Sequence, residues 1–378
     1  MRILIASDKF KGSATGPQVA SALAEGILAV APDVAIDAVP VADGGEGTVD
    51  AALAAGFEEV TATVTGPTGQ PVQARFGVRG TQAIIEMAAA SGLDQLPGGV
   101  KDALGATSRG TGELIAAALD HGATSIVLGI GGSANTDGGA GMLQALGVSL
   151  RDAEGQELPG GGGALSRIAE ADVSGLDPRL ADVEIVLASD VDNPLLGERG
   201  APAVFGPQKG ASPDDVAALD AALARYSALL ERQPGIRAAT ELPGAGGAGG
   251  VGYAALAALG ARREPGVEVV QRLTGLAEAL VGADLVITGE GSLDDQSLGG
   301  KTPLGVAAAS RAAGIGVIAV CGRSTLSAEA ARAAGFERVY ALAELEPDPA
   351  RSMAEAVALL TEVGRRIGAE LGELVPQR

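Results

Sequence analysis

Cysteine, histidine and tryptophan are nearly absent from this chain: its 378 residues hold one Cys, one His and no Trp. A lone cysteine excludes a disulfide framework within the chain and fits a reducing compartment. Cys321 lies inside the apolar run 316–322, the setting of a small core residue. The lone His121 precedes Gly122 at the end of a helical run, where an imidazole sits near the negative end of the helix dipole. Zinc sites built from Cys and His clusters are thereby excluded, and Cys–His catalysis is disfavoured. Any general base falls to a carboxylate or a lysine.

Aromatic residues make up only 2% of the chain, so its core must come from Ala, Val, Leu and Ile. Cationic residues are outnumbered, 27 Lys and Arg against 47 Asp and Glu, for a net charge of -20. Such a field repels nucleic acid and anionic lipid, yet a local cationic pocket can still take a small anion. The opening Met1-Arg-Ile-Leu-Ile-Ala-Ser-Asp8 is too short an apolar stretch for a signal peptide. No uncharged run approaches the ~18 residues of a membrane span. The expectation is a soluble, cytoplasmic protein with no nucleic-acid or membrane partner, and a homo-oligomer is left open.

Glycine is what the chain has in plenty: 58 residues, without a collagen-like period and set among apolar segments. Strand–loop–helix units recur. Residues 2–7 read as a buried strand, and Val19, Leu23, Ile27 and Val30 mark one face of the next helix, with Pro17 in its first turn. Residues 34–41 read as a second strand. Residues 59–78 alternate around Gly66-Pro-Thr-Gly69, the pattern of a hairpin. Further strands are expected at 82–87, 125–129 and 183–189, and helices at 113–119 and 214–230. From 279 the simple alternation returns, with strands at 284–288, 316–320 and 338–342, a helix at 303–313 and a closing helix at 353–371. The expected fold is α/β with two domains. Residues 1–58 and 279–378 form a Rossmann-like, parallel, doubly wound domain, and 59–278 form an inserted mixed α/β domain, with the active site in the cleft between them.

Six loops carry chemistry. Gly129-Ile-Gly-Gly-Ser-Ala-Asn-Thr-Asp-Gly-Gly-Ala-Gly-Met142 joins a strand to a helix start, a place for an anion. Ser133, Asn135, Thr136 and Asp137 add short polar groups there. The same loop fits G-x-G-x-x-A with Gly129, Gly131 and Ala134, and Asp152 lies at a tolerable distance for a ribose contact. Asp190-Val-Asp-Asn-Pro194 follows a strand. If that strand continues, Asp190 and Asp192 project to one side and can hold Mg²⁺ or activate a hydroxyl; otherwise Asn193 builds a turn. Gly289-Glu290 to Thr302-Pro303 ends in Gly300-Lys-Thr302, like a P-loop tail, but Asp295 stands where the leading glycine belongs, so a true P-loop is rejected. Lys301 there is either a phosphate ligand or a solvated lysine on a capped helix. Asp8-Lys-Phe-Lys-Gly-Ser13, Asp43-Gly-Gly-Glu-Gly-Thr48 and Phe205-Gly-Pro-Gln-Lys-Gly210 each pair charge with glycine.

Together with Ala106-Thr-Ser-Arg-Gly-Thr-Gly-Glu113, these motifs, in this order and over nearly the whole chain, resemble the bacterial glycerate kinase type 1 family. The resemblance implies a two-domain α/β kinase that uses ATP and Mg²⁺ to phosphorylate D-glycerate, usually to 2-phosphoglycerate. The expected site has Asp190, Lys301 and Asp43 as catalytic residues. Lys9, Lys11, Arg109 and Glu46 bind substrate, and Gly131, Gly132, Ser133, Asp137, Lys209 and Glu290 bind the nucleotide. Asp190 and Asp192 hold the metal. The rival readings are an NAD(P)-dependent sugar-acid dehydrogenase using the Gly129 loop and a non-catalytic sugar-acid sensor.

Overall fold

A computed structural model describes residues 1–294 and 302–375. Its strands are β1 (Arg2–Ser7), β2 (Ala35–Ala38), β3 (Glu58–Thr65), β4 (Pro71–Arg79), β5 (Gln82–Glu86), β6 (Ser125–Gly129), β7 (Ser149–Arg151), β8 (Glu170–Asp172), β9 (Glu184–Ala188), β10 (Arg262–Glu264), β11 (Leu285–Leu293), β12 (Gly316–Ser324) and β13 (Arg338–Ala341). The chain forms two compact units, Met1–Asp43 with Val267–Arg378, and Gly44–Gly266. The junctions expected from sequence stand at 58 and 279. The helix Thr48–Ala54 packs on β4 and β5 and so belongs with the middle unit. Val267 abuts Gly305 of the helix Thr302–Ala312, which draws the helix Gly266–Thr274 to the terminal unit.

The terminal unit is a five-stranded sheet in the order β13-β12-β11-β1-β2, parallel throughout. Its central strands carry continuous apolar runs, 3–6, 285–287 and 317–321, because both faces are covered there. Successive side chains point to opposite faces. Ile3, Ile5, Ile287 and Ile318 meet Leu23, Ile27, Leu360 and Ile367 on one side. Leu4, Val286, Val317 and Cys321 meet Leu280, Val306 and Phe336 on the other. Cys321 is thus the core residue expected, and burial pushes its thiol up to about 12. Thr15 starts the helix Gly16–Val30 with a capping box: its side chain accepts from the Gln18 amide while the Gln18 side chain accepts from the Thr15 amide. The expected closing helix is two, Pro349–Ala354 and Ala356–Leu374.

The middle unit has a six-stranded sheet in the order β10-β9-β6-β5-β4-β3. β10, β9, β6 and β5 are parallel, and β4 and β3 add the antiparallel hairpin read from the alternation at 59–78. Ile85, Leu128 and Leu187 build its core with Leu114, Met142, Leu223 and Tyr253. His121 caps the helix Arg109–Asp120 and sets its ring edge-on to Phe76 at 5.7 Å. The ribbon of β7 and β8 has no counterpart in the sequence reading, since three-residue strands carry no readable period.

Helices Gly16–Val30 and Ala356–Leu374 meet at their glycines. A Cβ on Gly26 would lie 2.0 Å from the Thr361 carbonyl oxygen, and one on Gly364 would lie 2.4 Å from that of Leu23. Backbone, unlike a side-chain tip, cannot swing aside. Gly364→Ala is therefore expected to cost about 1–3 kcal/mol by overpacking, despite the better helix propensity of alanine. Thermal unfolding should show a lower Tm; an unchanged or raised Tm contradicts the close packing.

Candidate active site

The parallel strands of the middle unit end together, and ligands of open α/β sheets bind at such carboxyl ends. β6 runs out at Gly129 and β9 at Ala188. Two glycine loops touch there. A Cβ on Gly129 would fall 2.2 Å from the Gly44 carbonyl oxygen, and one on Gly131 would fall 2.6 Å from the Gly45 Cα. Any side chain would push the loops apart. Glu86, at the end of β5, is buried and accepts from the Val49 amide at 2.5 Å, fixing the start of the helix Thr48–Ala54. The sequence marks Glu86 only as an acid closing the apolar run 83–85.

Asn135, Thr136 and Asp137 turn inward and are fully buried. Asp137 serves the loop. One oxygen accepts from the Ser108 amide at 2.8 Å, the Ser108 hydroxyl at 2.9 Å and the Gly141 amide at 3.3 Å. The other accepts from Asn135 Nδ2 at 2.8 Å and the Gly139 amide at 3.1 Å. The helix that follows, Ala140–Ala145, has six residues. Its start was expected to receive an outside anion; the anion it receives is the chain's own carboxylate.

Lys209 is 1% exposed beneath the same loop. Its ammonium donates to Ser133 Oγ at 2.7 Å and to the Asn135 carbonyl at 2.5 Å. Burial pushes it down to about 7, against the opposing pull of Asp137. From the side, the Leu93 amide donates to the Gly132 carbonyl and the Ala134 amide to the Ser91 carbonyl, each at 2.9 Å. What is left at the tip is a run of backbone N–H groups. Gly132 is exposed and Gly131 half-buried, and the amides of Gly131, Gly132 and Ser133 donate to no other described residue. Successive free amides of this kind form an anion-binding concavity.

Asp190 is half-buried, and its Oδ1 accepts from the Gly266 amide at 2.9 Å. Asp192 is 69% exposed and pairs with Arg199 at 3.4 Å. β9 stops at Ala188, so the alternation that would align the two carboxylates on one side does not operate. Among the described residues no group of three Asp, Glu, His or Cys side chains is placed to hold a metal. The Asp190–Asp192 pair does not fit a resident Mg²⁺. Glu46 is exposed beside Gly45. Arg109 pairs with Glu113 at 3.1 Å and lines an open pocket of about 570 Å³ with Thr65, Thr107, Gln144 and Glu157.

In the terminal unit, Lys9 is half-buried and Lys11 exposed, both just past β1; Asp43 and Glu290 are half-buried. Lys301 lies outside the described residues. A residue with no role assigned from the sequence, Asp8, stands out here. Its Oδ1 accepts from the Lys9 amide at 2.7 Å and its Oδ2 from the Thr302 hydroxyl at 2.8 Å. Burial first, and then the Asp43 charge, raise its carboxyl to about 7. Its only signal in the sequence is an acid at the end of an apolar strand.

The strand ends gather unpaired amides and buried charge in an α/β fold, and comparison with known proteins sets the class of the protein. A sequence profile described as the glycerate kinase family matches residues 3–372. Glycerate 2-kinase of Escherichia coli (strain K12) is 47% identical over 346 residues, 90% of each chain. Glycerate kinase of Halalkalibacterium halodurans is 43% identical over 368 residues, 97% of each. A crystal structure from Salmonella typhimurium LT2 bearing the provisional name glycerate kinase 2 matches with a TM-score of 0.84 and 44% identity, over 99% of this chain and 98% of that one. The protein is a kinase. It belongs to the glycerate kinase family, as its motifs suggest. The dehydrogenase and sensor readings fall with that result. Among the described residues no helix is long and apolar enough to cross a membrane.

Breaking a buried charge arrangement from one side costs about 3–5 kcal/mol. Asp137→Asn, which turns an acceptor into a donor facing N–H groups, is therefore expected to lower the Tm clearly. Asp192→Asn should stay within about 0.5 kcal/mol of wild type, as surface changes do. Equal melting of the two variants contradicts the role of Asp137 inside the loop.

Proposed function

We propose that the protein transfers the γ-phosphoryl group of ATP, entering with Mg²⁺ as the substrate complex, to the 2-hydroxyl of D-glycerate, giving 2-phosphoglycerate and ADP. The observation that carries this reading is the tip of the Gly129 loop, where the amides of Gly131, Gly132 and Ser133 have no acceptor among the described residues. Phosphoryl transfer requires positioning and charge stabilisation more than covalent chemistry from the protein. Backbone amides supply both without the reorganisation that free side chains need. The names of the relatives support glycerate as the acceptor.

In this reading the amides of 131–133 hold ATP phosphate oxygens. Asp137 and Lys209 keep that backbone in shape from beneath. Lys9, Lys11 and Arg109 are the cations available to the glycerate carboxylate, and Glu46 the acceptor for one of its hydroxyls. Asp190 and Asp43 are the acids that orient the attacking hydroxyl. Lys301 and Glu290 flank the phosphates by their place in the Gly289–Thr302 motif. Magnesium, arriving with the nucleotide, neutralises the developing phosphate charge.

Purified protein with MgATP should release ADP only when D-glycerate is added, and phosphorus NMR of the product should place the phosphate on the 2-hydroxyl. A folded protein without glycerate-dependent ADP release overturns the proposal. Asp190→Asn should lower turnover by about 10²-fold or more with its Tm kept, the scale on which misplacing a reacting group acts. Near-normal turnover would leave Asp190 a structural role such as holding the Gly266 amide.

A further inference from the structure

The motifs leave the proton of the attacking hydroxyl without a fixed destination, and the terminal unit holds one acid built for that task. β1 lies between β11 and β2, is buried over most of its length, and delivers Asp8 at its carboxyl end. The Asp8 amide donates to the Gly289 carbonyl at 2.9 Å, tying the residue to β11. The two carboxyl oxygens are bonded separately, one by the Lys9 amide and one by the Thr302 hydroxyl, so the group has a set direction. An acid that merely capped the helix Thr302–Ala312 would be stabilised in its ionised form and titrate low. Asp8 does the opposite. Burial and the Asp43 carboxylate raise it to about 7, outweighing the Thr302 hydroxyl, the Lys9 amide and the Lys9 ammonium, which all pull down. Glu290, on β11, acts on the Cys321 thiol. A general base works best when it titrates near the working pH, because it is then both free and basic.

We propose that Asp8 is the general base of the transfer, a catalytic residue that takes the proton of the glycerate hydroxyl. The inference rests on the function proposed above. The bond from the hydroxyl oxygen to the γ-phosphorus forms as the bond from that phosphorus to the β,γ-bridging oxygen breaks. ADP leaves with the electron pair, and the proton passes to Asp8 and then to water.

The test is the pH profile of kcat/KM for four proteins. Wild type should rise with pH through an apparent pKa near 7. Thr302→Val removes a bond that favours the ionised acid, so its acid limb should move up. Asp43→Asn removes a repelling charge, so its limb should move down. Asp8→Asn should lose about 10²–10⁴-fold in kcat, the range for a general base. Its stability supplies a second readout. A carboxyl raised in the folded state contributes stability below its unfolded value of 3.8 and loses it as the pH rises through about 7. Asp8→Asn should therefore melt above wild type at pH 8. An active wild type whose acid limb stays fixed in both Thr302→Val and Asp43→Asn overturns the role of Asp8 while leaving the function standing. Absence of glycerate-dependent activity in folded wild type overturns the function itself.

Discussion

The site in the middle unit depends on one buried carboxylate. Asp137 gathers the amides of Ser108, Gly139 and Gly141 and the side chains of Ser108 and Asn135. Left without an acceptor, each of those buried donors would cost about 1–3 kcal/mol. Filling them from within has a consequence at the surface. Amides of the helix start are consumed, while those at 131–133, earlier in the same loop, have no acceptor among the described residues. Lys209 completes the arrangement by donating to Ser133 and Asn135 from below. A buried lysine is costly in itself, and its bonds to Ser133 and Asn135, at and just past the unpaired amides, give it a structural purpose.

Asp8 and Asp137 show how environment divides one residue type between two tasks. Asp137 meets six N–H and O–H donors, the Thr107 hydroxyl among them, and is spent on holding its own loop. Asp8 has two donors and a neighbouring carboxylate, so its proton is held to about 7. The first fixes a loop, and the second is available for proton transfer. Neither role depends on histidine or cysteine, in keeping with a chain that has one of each, both far from such duty: His121 caps a helix and Cys321 fills a core.

The parallel sheet of the terminal unit was legible because its strands are buried on both faces and read as unbroken apolar runs. The hairpin at 59–78 was legible from alternation and Gly66-Pro-Thr-Gly69. Loop geometry was less so. The strand period placed Asp190 and Asp192 on one side, but β9 ends two residues before Asp190, and beyond a strand end the period carries no information. The motif around Gly129 drew notice to Ser133 and Asp137, yet could not tell which polar groups face solvent. That is decided by Ser108 and Lys209, which are 29 and 76 residues distant in sequence from their partners. Asp8 was overlooked because its character comes from burial, Asp43 and Thr302, none of which a local pattern contains.

Residue-resolved amide hydrogen exchange, with and without MgATP, tests the central claim most directly. Gly139 and Gly141 should be protected in both states, because Asp137 already holds them. Gly131, Gly132 and Ser133 should exchange quickly in the free protein and slow on addition of the nucleotide. Unchanged exchange at 131–133 in protein that is turning over ATP, or fast exchange at Gly139 and Gly141 without it, would contradict the account.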